Sequence, residues 1–124
     1  MSGELMEQSG HVVLVLDRDG SMIEREADAG DALGLAFAAG ADWIAIPLER
    51  VSPDFLDLKT RQMGLFLQKI INYHRKVAFV GDVSQPMATS KALNDFVYES
   101  NRGNQVWFVD DIEALSARLS HRAN

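Results

Sequence analysis

The chain has 124 residues, of which 47% are hydrophobic and 24% are charged, and this is the composition of one ordinary globular domain. Its formal net charge of −6 argues against a nucleic-acid partner, because binding to phosphates depends on an excess of lysine and arginine. The sequence contains no cysteine, which excludes disulfides, thiolate metal sites and a cysteine nucleophile. No apolar run is long enough to span a bilayer and no signal peptide is recognisable, so we expect no membrane insertion and a cytoplasmic location.

The first elements are predicted from turn signals and β-branched residues. Residues 1–10 show no clear pattern and are predicted to be a flexible tail, followed by a single α/β domain over residues 11–124. His11–Leu16 is predicted to be a strand. Asp17–Gly20 has turn chemistry, so Ser21–Glu24 is predicted to return as the second strand of an N-terminal hairpin.

The rest of the chain alternates between helical and strand patterns. Helices are indicated by apolar residues at helical spacing, and strands by continuous apolar runs that suit a sheet covered on both faces. The predicted helices are Asp28–Ala39, about Asp57 to Tyr73, one that ends near Arg102–Gly103, and Ile112–Arg122, and the predicted strands are Trp43–Leu48, Val77–Val80 and Val106–Val109. This order predicts an α/β fold with a mostly parallel sheet of four or five strands, an N-terminal hairpin and about four helices.

Parallel strands bring their carboxyl ends to one edge of the sheet, where ligands and partners usually dock. The loops after the predicted strands carry several charged or polar side chains. We therefore expect six residues to converge at that edge, namely Glu49, Arg50, Asp54, Asp82, Ser84 and Asp110.

Motifs for catalysis, cofactors or metals are weak. Gly30 and Gly34 lie inside a predicted helix and do not follow a strand, so helix packing explains them better than a phosphate-binding loop. Gly64 lies inside the next helix, where glycine is less favourable than alanine, so we expect a close contact there that leaves no room for a side chain. The histidines are scattered along the sequence, so we predict no metal site, and no pattern indicates a cofactor.

Glu99, Asn101 and Arg102 end a predicted helix just before Gly103. An arginine and a glycine there suit the C-terminal end of a helix, and Glu99 can pair with a nearby cation. The alternative is a recognition corner in which Arg102 binds a carboxylate or phosphate on a partner.

Four segments carry a family resemblance: Ile46–Leu58, Gln68–Tyr73, Phe79–Asp82 and Phe96–Gly103. They resemble the bacterial family catalogued as domain of unknown function 4180, and the Tyr-Glu-Ser-Asn-Arg-Gly block in the last segment is specific. The resemblance covers roughly residues 30–120. It implies a shared fold unit and no particular activity.

The order of elements also resembles the STAS domains of anti-sigma-factor antagonists and sulfate-transporter tails. Phe55–Asp57 is similar to the STAS segment that leads into the regulatory helix, where a partner kinase phosphorylates a serine and so controls binding. The matching positions here hold Leu58 and Lys59, and Thr60 is the nearest hydroxyl. The chain therefore departs from the phosphorylation pattern of that family.

We favour a non-catalytic, regulatory, STAS-like module that contacts an unknown protein partner through Asp54, Asp57, Thr60 and the predicted second helix. The sequence is also compatible with a homo-oligomer. One alternative is a small-molecule or lipid-binding module at the sheet edge. Another is an enzyme of unrecognised type that uses Glu49 and Asp82 as an acid–base pair.

Overall fold

The computed structural model describes residues 3–122. Its centre is a five-stranded sheet in which the strands lie in sequence order. The strands are β1 (Gly3–Gln8), β2 (His11–Leu16), β3 (Trp43–Pro47), β4 (Lys76–Val80) and β5 (Val106–Val109). β1 runs antiparallel to β2, and the other three pairings are parallel. The predicted α/β fold with a mostly parallel sheet is therefore confirmed.

The described residues contain six α-helices and two short 3₁₀ turns. The helices are α1 (Asp28–Ala39), α2 (Pro53–Leu56), α3 (Gln62–Asn72), α4 (Ser84–Ala88), α5 (Lys91–Arg102) and α6 (Ile112–Arg122). The 3₁₀ turns are Leu48–Arg50 and Leu58–Thr60. The count is close to the predicted four, because α2 and α4 are single short turns placed before the longer helices α3 and α5.

The helix predicted to start near Asp57 begins at Gln62, because the preceding chain folds separately. The hydroxyl of Ser52 accepts a hydrogen bond from the backbone N–H of Phe55 at 3.2 Å and so caps α2. Arg61 then adopts a left-handed φ of 65°. An α-helix of L-residues does not continue through that conformation, so α3 starts after it.

The N-terminal hairpin is present, but its strands differ from the predicted pair. It consists of β1 and β2, joined by Ser9 and Gly10, whose φ angles of 53° and 85° fit a type I′ turn. Residues 3–8, which were predicted to belong to a flexible tail, therefore form a strand. Residues 1 and 2 of the predicted tail lie outside the described residues. Ser21–Glu24 does not return as a strand, since Ile23 makes an isolated bridge to Val51.

Long-range contacts hold β1 in place. It pairs with β2 along its whole length, from Gly3 opposite Leu16 to Gln8 opposite His11. The Gln8 side chain also donates to the hydroxyl of Ser120 on α6 at 2.5 Å. The segment has no β-branched residue, so local propensity did not reveal a strand that tertiary contacts stabilise.

The helices cover the two faces of the sheet unequally. Every crossover leads to the next strand in the same direction, and right-handed crossovers of this kind place their helices on one face. α1, α3 and α5 pack there against strand residues such as Leu14, Ile44 and Phe79. The opposite face packs against α6, where Trp43 and Leu115 belong to a second core.

Candidate functional site

The carboxyl ends of the parallel strands form a cleft on the α6 side of the sheet. The strand order never reverses, so this cleft does not arise at a topological switch point. It forms because the chain passes from one face of the sheet to the other between β5 and α6. Its volume is about 370 Å³, and its apolar walls come from Val15, Pro47, Val80 and Ile112.

The rim of this carboxyl-edge cleft is mainly acidic. It carries Glu49, Asp110, Asp111 and Glu113 against a single basic residue, Arg18. The Nε of Arg18 lies 3.8 Å from Oε2 of Glu49, and both side chains are exposed, so this ion pair is weak. Asp111 caps α6 by accepting a backbone N–H of its first turn at 2.8 Å. The cleft therefore suits a cationic group better than an anion.

Two of the six residues predicted to converge at this edge line the cleft, namely Glu49 and Asp110. The loops after β3 and β4 instead continue into α2 and α4, which pack beside α3 and α5. These helices belong to the layer on the other face of the sheet. The remaining four predicted residues do not line the cleft, namely Arg50, Asp54, Asp82 and Ser84.

Arg50 is turned into the protein, with 1% of its surface exposed. Its Nε donates to the carbonyl of Ser21 at 2.9 Å, and its Nη1 donates to the carbonyl of Asp17 at 2.8 Å. Gly20 lies against the guanidinium, where a Cβ would come within 2.9 Å of Cζ. Arg50 therefore holds the 17–21 loop and does not offer a contact to a partner.

Asp82 and Ser84 form a local turn at the start of α4. Oδ1 of Asp82 accepts the backbone N–H of Ser84 at 2.9 Å. Hydrogen bonds from the Ser84 side chain and then from its N–H lower the pKa of Asp82 below its ordinary value. A general acid at neutral pH needs a raised pKa in a sheltered site. Because Asp82 and Glu49 are both exposed, the geometry does not support them as an acid–base pair.

Asp54, Asp57 and Thr60 are exposed together on one loop. The Thr60 hydroxyl lies 2.9 Å from the carbonyl of Asp57 and 3.2 Å from that of Asp54, and it donates to these oxygens. The loop borders a shallow groove of about 630 Å³ whose other wall runs from Pro86 to Leu93. Thr60 therefore holds the loop together, and its neighbours are free to face a partner.

The third predicted group, Glu99, Asn101 and Arg102, lies at the opposite edge of the sheet, at the end of α5. Oδ1 of Asn101 accepts the backbone N–H of Phe108 at 2.7 Å and so satisfies a donor of the edge strand β5. Nη1 of Arg102 lies 3.6 Å from Oε1 of Glu99, and both side chains are well exposed. Asn101 therefore has a structural role, and Arg102 stays accessible.

A surface that the sequence analysis missed lies where α1 and α3 pack side by side. Phe37, Leu65 and Tyr73 are 46%, 42% and 52% exposed on these helices. The rings of Phe37 and Tyr73 meet edge to face with their centroids 5.9 Å apart, so they form one patch. The guanidinium of Arg75 lies over the Phe37 ring, 4.6 Å from its centroid. Phe37 had the helical spacing of a core residue, so the sequence did not mark it as exposed.

Two glycines on α1 border a separate groove of about 440 Å³, which is also lined by Ser21, Met22 and Leu35. Gly30 and Gly34 are exposed, and helical spacing places them on the same side of α1 as Phe37. A Cβ at either position would meet no atom within 4 Å. The predicted packing of these glycines is therefore absent among the described residues. We call the surface formed by Phe37, Leu65 and Tyr73 the α1–α3 surface.

Gly64 in α3 is also open, since a Cβ there would meet nothing within 4 Å. The close contact predicted for it is therefore wrong. It borders a separate groove of about 340 Å³ between α3 and α5, which also includes Leu67 and Phe96.

Within residues 3–122, no group of three or more histidine, aspartate or glutamate side chains is placed to hold a metal ion. The same part of the chain has no helix whose length and apolar character would let it cross a membrane.

The fold and its grooves define a small α/β protein with an acidic cleft at one sheet edge and an exposed apolar surface on its helix layer. The chain belongs to the family described as Domain of unknown function (DUF4180), whose profile matches residues 8–119. That span runs from the end of β1 into α6 and contains both surfaces. No match was found among curated proteins or among solved structures. The resemblance to STAS domains stays a prediction.

Proposed function

We propose that this protein is a non-catalytic, cytoplasmic regulatory module that binds a partner protein through the α1–α3 surface and the adjoining 53–60 loop. The observation that carries the proposal is the exposure of Phe37, Leu65 and Tyr73 on two neighbouring helices, with the Phe37 and Tyr73 rings in contact. Large apolar side chains that lie together on a surface mark sites of protein contact more often than single exposed ones do. The order of elements, which resembles that of STAS domains, is consistent with such a role.

The 53–60 loop supplies polar groups at the start of α3, whereas Phe37 and Tyr73 meet at its end. The loop leads directly into α3, so a partner that covers the length of α3 would also reach Asp54 and Asp57. Contacts of this kind, apolar at the centre and polar at the rim, are usual in protein interfaces. The loop is held by hydrogen bonds within residues 52–62, so it presents a formed surface before binding.

The test is capture of binding partners with a matched pair of variants. Leu65→Glu places a charge in the patch, whereas Tyr98→Glu places one on α5, where Tyr98 is 64% exposed. Both positions are exposed, so both variants should fold. We expect at least one protein to be recovered by the wild type and by Tyr98→Glu and to be lost with Leu65→Glu. If nothing that is recovered distinguishes the two variants, this surface is not the binding site.

A second candidate function is the binding of a small organic cation in the carboxyl-edge cleft. Its support is the acidic rim around apolar walls described above. A ligand that binds the folded state raises the melting temperature, so a panel of amines and guanidinium compounds should stabilise the wild type. Glu49→Gln should weaken that shift. A flat response to the whole panel, or a shift that Glu49→Gln leaves unchanged, would contradict this candidate.

A further inference from the structure

We propose that two copies of this chain pair through the outer edge of β1, across a two-fold axis, and so join their sheets into one. This pairing goes beyond the proposed function, because it uses the edge of the sheet and leaves the α1–α3 surface free. Its basis is an open strand edge whose sequence is complementary to itself in one particular register.

The backbone groups of β1 alternate between β2 and the open side of the strand. Gln8 and His11 flank the two-residue turn and face each other, and such a pair exchanges both of its backbone hydrogen bonds. The next pair, Glu7 and Val12, therefore points its backbone groups away from the partner strand. The contacts of Val12 agree, because its N–H donates at 2.8 Å to Oδ1 of Asp42, the residue that precedes β3.

By the same alternation, the outward backbone groups of β1 belong to Gly3, Leu5 and Glu7. Among the described residues, no other segment forms backbone hydrogen bonds with them. β1 also lacks the usual protection of an edge strand, since it has no proline, no lysine and no bulge in its register with β2. The other edge of the sheet is partly closed, because Asn101 accepts the N–H of Phe108. An open edge such as that of β1 is a template for a further strand.

Leu5 places an exposed apolar side chain on this edge. It lies opposite Leu14 and on the same face of the sheet. Leu14 is buried beneath the helix layer, whereas α1 packs on β2 and β3 and leaves Leu5 55% exposed. On the other face, the Gln8 side chain donates to Ser120 of α6 at 2.5 Å. The edge is therefore held in place by the monomer and is ready to pair.

A two-fold axis through Leu5 satisfies both the backbone and the side chains. The two copies of Leu5 would face each other, and Gly3 of each copy would face Glu7 of the other. Every outward backbone group would then have a partner, because the members of such antiparallel pairs point towards each other. Glu4 would face Met6 of the other copy, so no two carboxylates would lie directly opposite.

Other occupants of the edge would not explain this match. A two-fold interface uses the same patch on both subunits and must be self-complementary, and the register centred on Leu5 has that property. An axis through Met6 would instead set Leu5 against Glu7 and leave Gly3 unpaired. The sequence of β1 therefore favours a second copy in the register centred on Leu5.

The test is sedimentation analysis of the full chain with two matched variants. We expect the wild type to form dimers. Leu5→Lys should weaken dimerisation by about tenfold or more, because it removes the central apolar contact and sets two like charges opposite each other. Leu65→Lys makes the same change on α3, where Leu65 is 42% exposed, and it should leave dimerisation unchanged. Both positions are exposed, so both variants should fold.

Cysteine cross-linking tests the register, because the chain has no cysteine of its own. The Cα atoms of the two copies of Leu5 would lie about 5.5 Å apart, which is within the range of a disulfide. The two copies of Glu7 would lie about 14 Å apart, since roughly four residues of strand at about 3.4 Å each separate them. Oxidation should therefore link the Leu5→Cys variant into covalent dimers and leave the Glu7→Cys variant unlinked.

Three results would overturn the proposal. The first is a wild type that stays monomeric at its highest soluble concentration. The second is a dimer that tolerates Leu5→Lys. The third is a Glu7→Cys variant that cross-links as readily as the Leu5→Cys variant.

Discussion

Replacement of Arg50 by methionine tests whether this buried side chain holds the 17–21 loop. Methionine fills much of the volume of the arginine stem but donates no hydrogen bond. The carbonyls of Asp17 and Ser21 would lose donors that now lie at 2.8 and 2.9 Å. A hydrogen bond to a charged group contributes about 1.5 to 3 kcal/mol, so the two together contribute about 3 to 6 kcal/mol.

Part of this loss is offset by relief of a buried charge. No carboxylate among the described residues pairs with Arg50, and its Nη2 is buried without a hydrogen-bond partner. Removal of one unsatisfied buried polar group raises the free energy of unfolding by roughly 1 to 3 kcal/mol. We therefore expect Arg50→Met to lower the free energy of unfolding by about 2 to 3 kcal/mol, a large share of the 5 to 15 kcal/mol typical of a domain.

The measurement is urea unfolding followed by the fluorescence of Trp43 and Trp107, which are both buried. The matched control is Arg18→Met, because the Arg18 side chain is 81% exposed. That variant should change stability by no more than about 0.5 kcal/mol. If Arg50→Met costs no more than Arg18→Met, the Arg50 side chain does not hold the 17–21 loop.

Three further predictions concern a glycine pair, a titration and a strand edge. Gly64→Ala should stabilise the fold by about 0.5 to 1 kcal/mol. Gly20→Ala should destabilise it, because Gly20 has a φ of 143° and a Cβ there would meet the buried guanidinium of Arg50 at 2.9 Å. The midpoints of denaturant unfolding compare the two variants. The lowered pKa of Asp82 means that its contribution to stability is present above its unfolded pKa and is lost as the pH falls through the folded one. Ser84→Ala should therefore raise the Asp82 pKa towards its ordinary value of 3.8, as an NMR titration would show. Asn101→Leu should cost about 1 to 2 kcal/mol in urea unfolding, because it leaves the β5 amide unpaired.

Each of these predictions has an outcome that contradicts it. If alanine changes the stability equally at Gly64 and at Gly20, then neither the open space nor the backbone conformation decides the effect. An Asp82 pKa that ignores Ser84→Ala would place the cause of the shift elsewhere. For the strand edge, Arg102→Leu is the exposed control, and an Asn101→Leu variant as stable as that control would remove the structural role of the amide.

Elements with a strong local pattern were predicted with the right bounds. α1 and α6 match the predicted helices, and β2 and β5 match the predicted strands. Their apolar residues repeat with the period of the element, and their ends carry local signals such as Gly40, which has a φ of 68°. Such information lies within a few residues of sequence, so no tertiary contact is needed to obtain it.

Elements stabilised by distant partners were missed. β1 depends on its pairing with β2 and on the contact of Gln8 with α6, which is more than a hundred residues away in sequence. The Ser9–Gly10 dipeptide was the one local signal for this hairpin, since both residues adopt positive φ. The early break before α3 likewise depends on a single backbone conformation, at Arg61.

The candidate sites divide in the same way. Sequence order predicted that Glu49 and Asp110 follow parallel strands, and both line the carboxyl-edge cleft. Whether a side chain after a strand faces that cleft, the interior or the helix layer depends on where its loop packs. Arg50 is next to Glu49 in sequence, yet it is buried under the 17–21 loop.

The sequence by itself determined the class of fold, the order of the longer helices and of four of the five strands, and the family, because local periodicity and short motifs carry this information. The tertiary structure alone decided which residues share a surface. The pairing of α1 with α3 exposes Phe37 and Tyr73 together, although each has the character of a core residue. The physical reason is that burial depends on the neighbours that a side chain meets after the chain has folded, and those neighbours are distant in sequence.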